Sequence, residues 1–213
     1  MSGRRFMLAA IAIAGVVALL MLTRGSSSQT SGETGSPESL STQVAPCPTA
    51  SSSDHHWLLV SWAMGYGDIP SLTGDADLVA LGKITGCPSV VSEEVGAPPV
   101  TSTLYTSYFS FEIESVLHGA TSQSTIVVVQ MGGIVGGKTV EVFDDPLMQP
   151  GDRYVLFLRE ATAGRYAILG LGARFVVQDE RVSSLSSVYP DRGLSDTGIR
   201  DVALGAFLEQ VRQ

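Results

Sequence analysis

From Tyr105 to Leu117 the sequence YTSYFSFEIESVL alternates, with Phe109, Phe111 and Ile113 on one side and Ser110, Glu112 and Glu114 on the other. A period of two predicts a strand with one face buried. The runs STIVVVQ and RYVLFLR are apolar without alternation, rich in β-branched and aromatic residues and too short for helices, which predicts central strands. LVALGKITG, residues 78–86, predicts a further strand, and RYAILGLGARFVVQ, residues 165–178, one or two more with Gly170 and Gly172 at a bend or bulge. Between these, SVVSEEVGAPPV reads as a loop, because Pro98 and Pro99 cannot donate to a ladder. Pro150-Gly151-Asp152 reads as a turn.

Helical spacing is confined to the ends of this region. Residues 68–77, with Pro70 early and Gly74 late, predict one or two helical turns. Near the carboxy terminus Ile199, Val202, Ala203, Ala206 and Phe207 recur at helical spacing behind the capping candidates Ser195, Asp196 and Thr197, which predicts a helix of about 15 residues. The expected fold class is mainly β: five to seven antiparallel strands in a small barrel or sandwich, with a short helix before the first strand and a carboxy-terminal helix.

Ahead of this domain the pattern changes twice. Residues 6–22, FMLAAIAIAGVVALLML, are apolar throughout and follow Arg4 and Arg5. As a helix they rise roughly 26 Å, close to the ~30 Å of a bilayer's hydrocarbon core. The run exceeds a signal peptide's apolar region and lacks an A-x-A-like site after it, which favours a retained signal-anchor over a cleaved signal. Two arginines before the run and one after keep the amino terminus cytoplasmic, so the remainder lies outside the cell membrane, or is secreted if the segment is cleaved. Residues 25–53 are dominated by Ser, Thr, Gly and Pro and hold too few large apolar side chains to offset the entropy of ordering them. A flexible tether of roughly 29 residues reaches about 30 Å. The organisation expected is an anchor over residues 1–24, a linker over 25–53 and an extracytoplasmic domain over 54–213.

Composition narrows the partners. Lys and Arg total 13 against 21 Asp and Glu, a net charge of −8, and three of the basic residues, Arg4, Arg5 and Arg24, lie in or beside the apolar segment. A domain still more acidic than the whole chain is repelled by phosphate backbones, so nucleic acid is not an expected partner. The two cysteines, Cys47 and Cys87, are candidates for a disulfide outside the cytoplasm. Such a bond would close a loop of about 40 residues, contribute roughly 3 to 4 kcal/mol and staple the tether to the domain. The alternative is a Cys87 packed as a small hydrophobe with Cys47 free.

DADLVALGKITG, the alternating strand ending in ESVLHG, IVVVQMGG, PGDRYVLFL and YAILGLGARFVV together resemble uncharacterised bacterial extracytoplasmic domains with an OB-like barrel, over residues 66–178. More distantly they are similar to the netrin-like fold of tissue inhibitors of metalloproteases. That resemblance implies a small closed barrel. The inhibitors act through the free amine and carbonyl of an amino-terminal cysteine, whereas here Cys47 follows 46 residues and the family's several disulfides are missing.

Candidate chemistry is sparse. Residues 132–139, GGIVGGKT, satisfy G-x-x-x-x-G-K-[ST], yet a phosphate loop must lead from a strand into a helix. After Thr139 comes VEVFDDP, with β-branched and aromatic residues at period two, so the glycines are expected to bend a wide hairpin loop and no nucleotide is expected. Asp54-His55-His56 offers metal-ligating atoms in a row, but neighbours on an extended segment point to opposite sides, and no metal or cofactor is expected. His118 has no base or nucleophile motif around it. Glu93-Glu94 and Asp144-Asp145 read as solvated loop charges rather than a glycosidase pair or a calcium loop. Trp57, Trp62, Tyr66, Tyr105 and Tyr108 either stack on sugars or peptides or cover the core. The expectation is a membrane-anchored, non-enzymatic domain binding a protein, peptide or envelope ligand. The alternative is a secreted or surface hydrolase with a site assembled only in three dimensions, which a deep pocket holding His118 with a carboxylate and a serine would favour.

Overall fold

Unbroken apolar runs need cover on both faces, and three strands obtain it over part of their length: β2 (Leu78–Ala97) in its first five residues, β6 (Arg153–Thr162) from Tyr154 to Leu158 and β8 (Arg174–Gln178) up to Val177. In the computed structural model, residues 47, 55–58, 66, 68–97, 99–143, 145–170, 172–188 and 199–213 are described, and all fall in the unit Val44–Gln213. The Phe6–Leu22 run, Asp54, Trp62, Asp144 and the caps Ser195, Asp196 and Thr197 lie outside the described residues. Among those described, no helix is long and apolar enough to cross a membrane.

The fold is mainly β. The other strands are β1 (His55–Leu58), β3 (Val100–Gly119), β4 (Thr125–Val135), β5 (Lys138–Val142), β7 (Arg165–Ile168), β9 (Arg181–Ser184) and β10 (Val202–Ala203). The helices are α1 (Ile69–Asp75), α2 (Leu185–Val188) and α3 (Leu204–Val211). Ten strands among the described residues are more than the five to seven expected, and β1 precedes the helix expected to come first. Two pairings, β1 with β5 and β4 with β7, are parallel.

Hydrogen-bonded ladders run β2–β3–β4, and β7 joins β4 to β6, which pairs back onto β2, so five strands form a ring of ladders. β5 and β1 extend from β4, and β8, β9 and β10 extend from β6. One cluster of buried side chains takes Leu78, Ala80, Phe109, Phe111, Val128 and Leu156. The second takes the alternate residues of the same strands, Val79, Leu81, Val155 and Phe157, with Phe175 and Val177 of β8, and is roofed by Leu72 of α1 and Phe207 of α3. RYVLFL is therefore buried on both faces as its apolar run predicted. β4 instead alternates, with Val127 and Val129 only half-buried. On β3, Phe109 and Phe111 are buried while Ser110, Glu112 and Glu114 are exposed, as the period of two required.

α1 begins where expected: the Asp68 carboxylate accepts the Ser71 N–H at 2.7 Å, and this bond pulls its pKa below the ordinary value. α3 is shorter than expected. Val202 and Ala203 pair with β9, and the Ile199 carbonyl accepts the Ser184 N–H, so these apolar residues serve the sheet edge instead of extending a helix. The largest departure is SVVSEEVGAPPV. Ser89–Ala97 pairs residue by residue with Val100–Tyr108, making a long hairpin arm. Pro99 falls between the paired Ala97 and Val100, where no ladder donor is required, while Pro98 lies outside the described residues, and the β-branched residues on both sides continue the strands.

Phe207 is fully buried and its ring lies 4.9 Å from that of Phe175. Phe207→Ala is expected to lower unfolding free energy by about 3 kcal/mol or more, read as a shift in the urea midpoint at unchanged slope.

Candidate functional site

The segment between β5 and β6 crosses a polar cradle that the sequence did not reveal. Gln130 of β4 donates from Nε2 to the carbonyls of Asp145 at 3.3 Å and Pro146 at 2.9 Å, and its Oε1 accepts the Met148 N–H at 3.0 Å. Glu141 of β5 accepts the Leu147 N–H at 3.3 Å. Arg174, only 2% exposed, donates from Nη2 to the Pro146 carbonyl and stands 3.0 Å from Asp145 Oδ1, with its guanidinium over the Tyr154 ring. Asp145 is thus a buried ion-pair partner, not the solvated loop charge expected. A buried carboxylate needs such a partner, and the one it has lies 29 positions on in sequence, beyond the reach of any local pattern. Burial raises the Tyr154 pKa well above the usual tyrosine range, against the lowering effect of the Arg174 charge, so the hydroxyl stays protonated and donates to Asp152 at 2.9 Å.

Held this way, Leu147, Met148 and Gln149 wall one side of a groove of about 70 Å³ at the root of the arm. Val90 of β2, Ser107 and Phe109 of β3 and Ile134 of β4 face it, with Cys47, Pro88 and Pro150 completing the lining. β4 passes close under the arm because Gly133 has no side chain: a β-carbon there would lie 2.6 Å from Val90 Cγ1. Ser107 fixes the contact by donating to the Gly132 carbonyl at 2.7 Å. A second groove, about 210 Å³, lies along β3, β4 and β7 and includes Thr106, Val129, Gln130 and Ala167.

Beside the cradle, β1 adds an aromatic ledge. His55 stacks on Trp57 with centroids 4.0 Å apart, and Trp57 meets Phe143 edge to face at 5.5 Å. Trp57 and Phe143 remain 45% and 37% exposed, which leaves apolar ring surface open to a ligand. His55 Nε2 lies 3.8 Å from Glu141 Oε1, so one buried carboxylate touches both the ledge and the groove wall.

The other sequence candidates separate. Cys47 and Cys87 form a disulfide with Cα atoms 5.2 Å apart. GGIVGGKT is the β4–β5 hairpin: Gly136 and Gly137 make a two-residue turn, both at positive φ, and Lys138 opens a strand where a phosphate loop needs a helix. The turn is tighter than the wide loop expected. His55 and His56 are both exposed and belong to β1, paired with Thr139 and Val140. Glu93 and Glu94 are exposed on the arm. The cavity containing His118, about 370 Å³, is lined by Pro70, Thr73, Gly74 and Leu117 and by residues 210–213, with no serine, Asp or Glu side chain among them. Tyr66 is buried and donates to Asp75 at 2.9 Å, Tyr105 is half-buried in the arm, and Tyr108 lies under Arg165. Among the described residues no group of three or more His, Cys, Asp or Glu could hold a metal ion.

Comparison of the chain with family models, with curated proteins and with solved structures returned no match.

Two stability measurements check this construction. Asp145→Ala strands a buried arginine and is expected to cost about 3 to 5 kcal/mol, most of it recovered when Arg174→Met is added. Replacing Cys47 and Cys87 together by serine is expected to cost about 3 to 4 kcal/mol, the chain-entropy contribution of a loop of this length.

Proposed function

We propose that this chain is a non-enzymatic binding or interaction domain with an OB-like barrel, carried on the outer side of the cell membrane by an amino-terminal signal-anchor. The ring order supports the barrel. Numbered one to five, β2, β3, β4, β6 and β7 neighbour one another as 1-2-3-5-4 and back to 1, with the third and fifth parallel, which is the Greek-key order of that fold. The anchor reading rests on the apolar run at residues 6–22 behind two arginines. A disulfide, at home in oxidising compartments, agrees with it.

One observation carries the binding reading. OB barrels take ligands on the face of their second and third strands, beside the loop joining the first and second. Here both grooves lie on β3 and β4, and the smaller one also uses the β2–β3 arm. The acidic net charge of −8 argues against nucleic acid, and the apolar lining with its aromatic ledge fits a peptide, a protein segment or an envelope glycan. The lining of the His118 cavity includes neither a carboxylate side chain nor a serine, so that cavity does not favour the surface-hydrolase alternative.

In cells expressing the full chain, protease added outside is expected to digest the domain while cytoplasmic controls survive; survival of the domain would refute the orientation. Ile134→Trp, which fills the groove, is expected to reduce retention of peptides or soluble envelope glycans at least tenfold with little change in melting temperature. Unchanged retention would move the site elsewhere.

A further inference from the structure

The arm presents a sheet edge that nothing among the described residues occupies. β6 pairs with β2 only from Leu78 to Lys83, and the Gly151–Asp152 turn takes the backbone of Ile84. Beyond that point β2 pairs on one side only, with β3, from Ser89 to Ala97. Nine residues of strand offer about 30 Å of edge. Residues 91–97 are all exposed, so none of the described residues covers edge or face there.

Long open edges invite pairing with another strand, and natural proteins usually blunt them with lysine, proline inside the strand or a covering element. This one uses none of these along Ser89–Ala97; its only charges are Glu93 and Glu94, and the arm from Ser89 to Tyr108 holds no Lys, Arg or His. Neither glutamate belongs to an ion pair among the described residues. Val91 and Val95, 52% and 38% exposed, flank Glu93 on one face, with Leu104 opposite it across the ladder. The edge thus reads apolar, acidic, apolar on one face, with Glu94 between Ser92 and Gly96 on the other.

We propose that the β2 edge of the arm is a docking strand for an extended basic segment of a partner protein, which adds to the sheet by backbone hydrogen bonds. Its side chains opposite Val91 and Val95 are apolar, and those opposite Glu93 and Glu94 are Lys or Arg. A second copy of this chain fits poorly, because antiparallel pairing of two such edges crowds four carboxylates into one short ladder. The chain's net negative charge draws the same class of partner from a distance. This surface is separate from the groove, and the proposal does not depend on the groove's ligand or on the anchor.

The test uses the full chain in detergent, a blocked Thr-Val-Lys-Lys-Thr-Val-Thr peptide, and the same peptide with glutamates for the lysines. Amide hydrogen exchange is expected to show protection of the outward-pointing amides between Val91 and Ala97 with the lysine peptide alone. Glu93→Lys with Glu94→Lys is expected to weaken its binding at least tenfold at unchanged melting temperature, both positions being exposed. Protection appearing elsewhere, equal binding of the two peptides, or indifference to the charge reversal would overturn the proposal. Protection of the same amides on raising protein concentration alone would also overturn it, by making the occupant a second copy.

Discussion

The architecture depends on a short parallel ladder, Val127–Val129 beside Arg165–Ala167. β7 has only four residues, yet it pairs with β4 on one side and β6 on the other, and through it the run of strands returns on itself. Without that seam, β4 and the outer half of β6 would each carry an open edge, and the cluster around Phe109, Phe111 and Leu156 would be exposed along a slit. With the seam in place, one face of β2 and β6 is sealed. Their other face must then find separate cover, which α1 and α3 provide through Leu72, Leu204 and Phe207.

Closing the ring also concentrates cost in one place. Gln130, Glu141, Asp145 and Arg174 are all buried, and their partners are chiefly the backbone of residues 145–148 and the Arg174–Asp145 pair, although Arg174 Nε and Nη1 have no hydrogen-bond partner among the described residues. An interior polar set of this kind is expensive to half-satisfy, so it fixes one path for the segment that crosses it. That path sets the wall of the groove under the arm. The groove's shape therefore follows from buried polar chemistry more than from the apolar side chains that line it.

Where structure follows from a pattern spanning a few neighbours, the sequence was a good guide. The alternation of β3, the two-sided burial of β6 and the proline-led start of α1 are all local consequences of period or of a single residue. The arm was misread because the proline rule concerns one ladder position at a time: a proline forbids pairing at its own position and says nothing about Val91 or Thr103 further along. Pairings between distant segments left no trace at all. β1 is four residues long, too short to carry a period, and its parallel partner is more than 80 positions away. The Arg174–Asp145 pair was equally hidden, since an arginine heading RFVV looks like the polar end of a strand. For the same reason the groove and its cradle were not legible, although several of the residues that build them were.

The disulfide has a mechanical meaning. Cys47 is bonded to Cys87, next to the base of the arm, so the sulfur bridge is a covalent bypass around the 39 residues between them. Tension arriving through the chain ahead of Cys47 crosses the sulfur bridge straight into β2 and leaves β1 and α1 outside the line of force. A pull on a partner held by the arm would travel along one strand and one covalent bond, without peeling the aromatic ledge or the helical roof from the sheet.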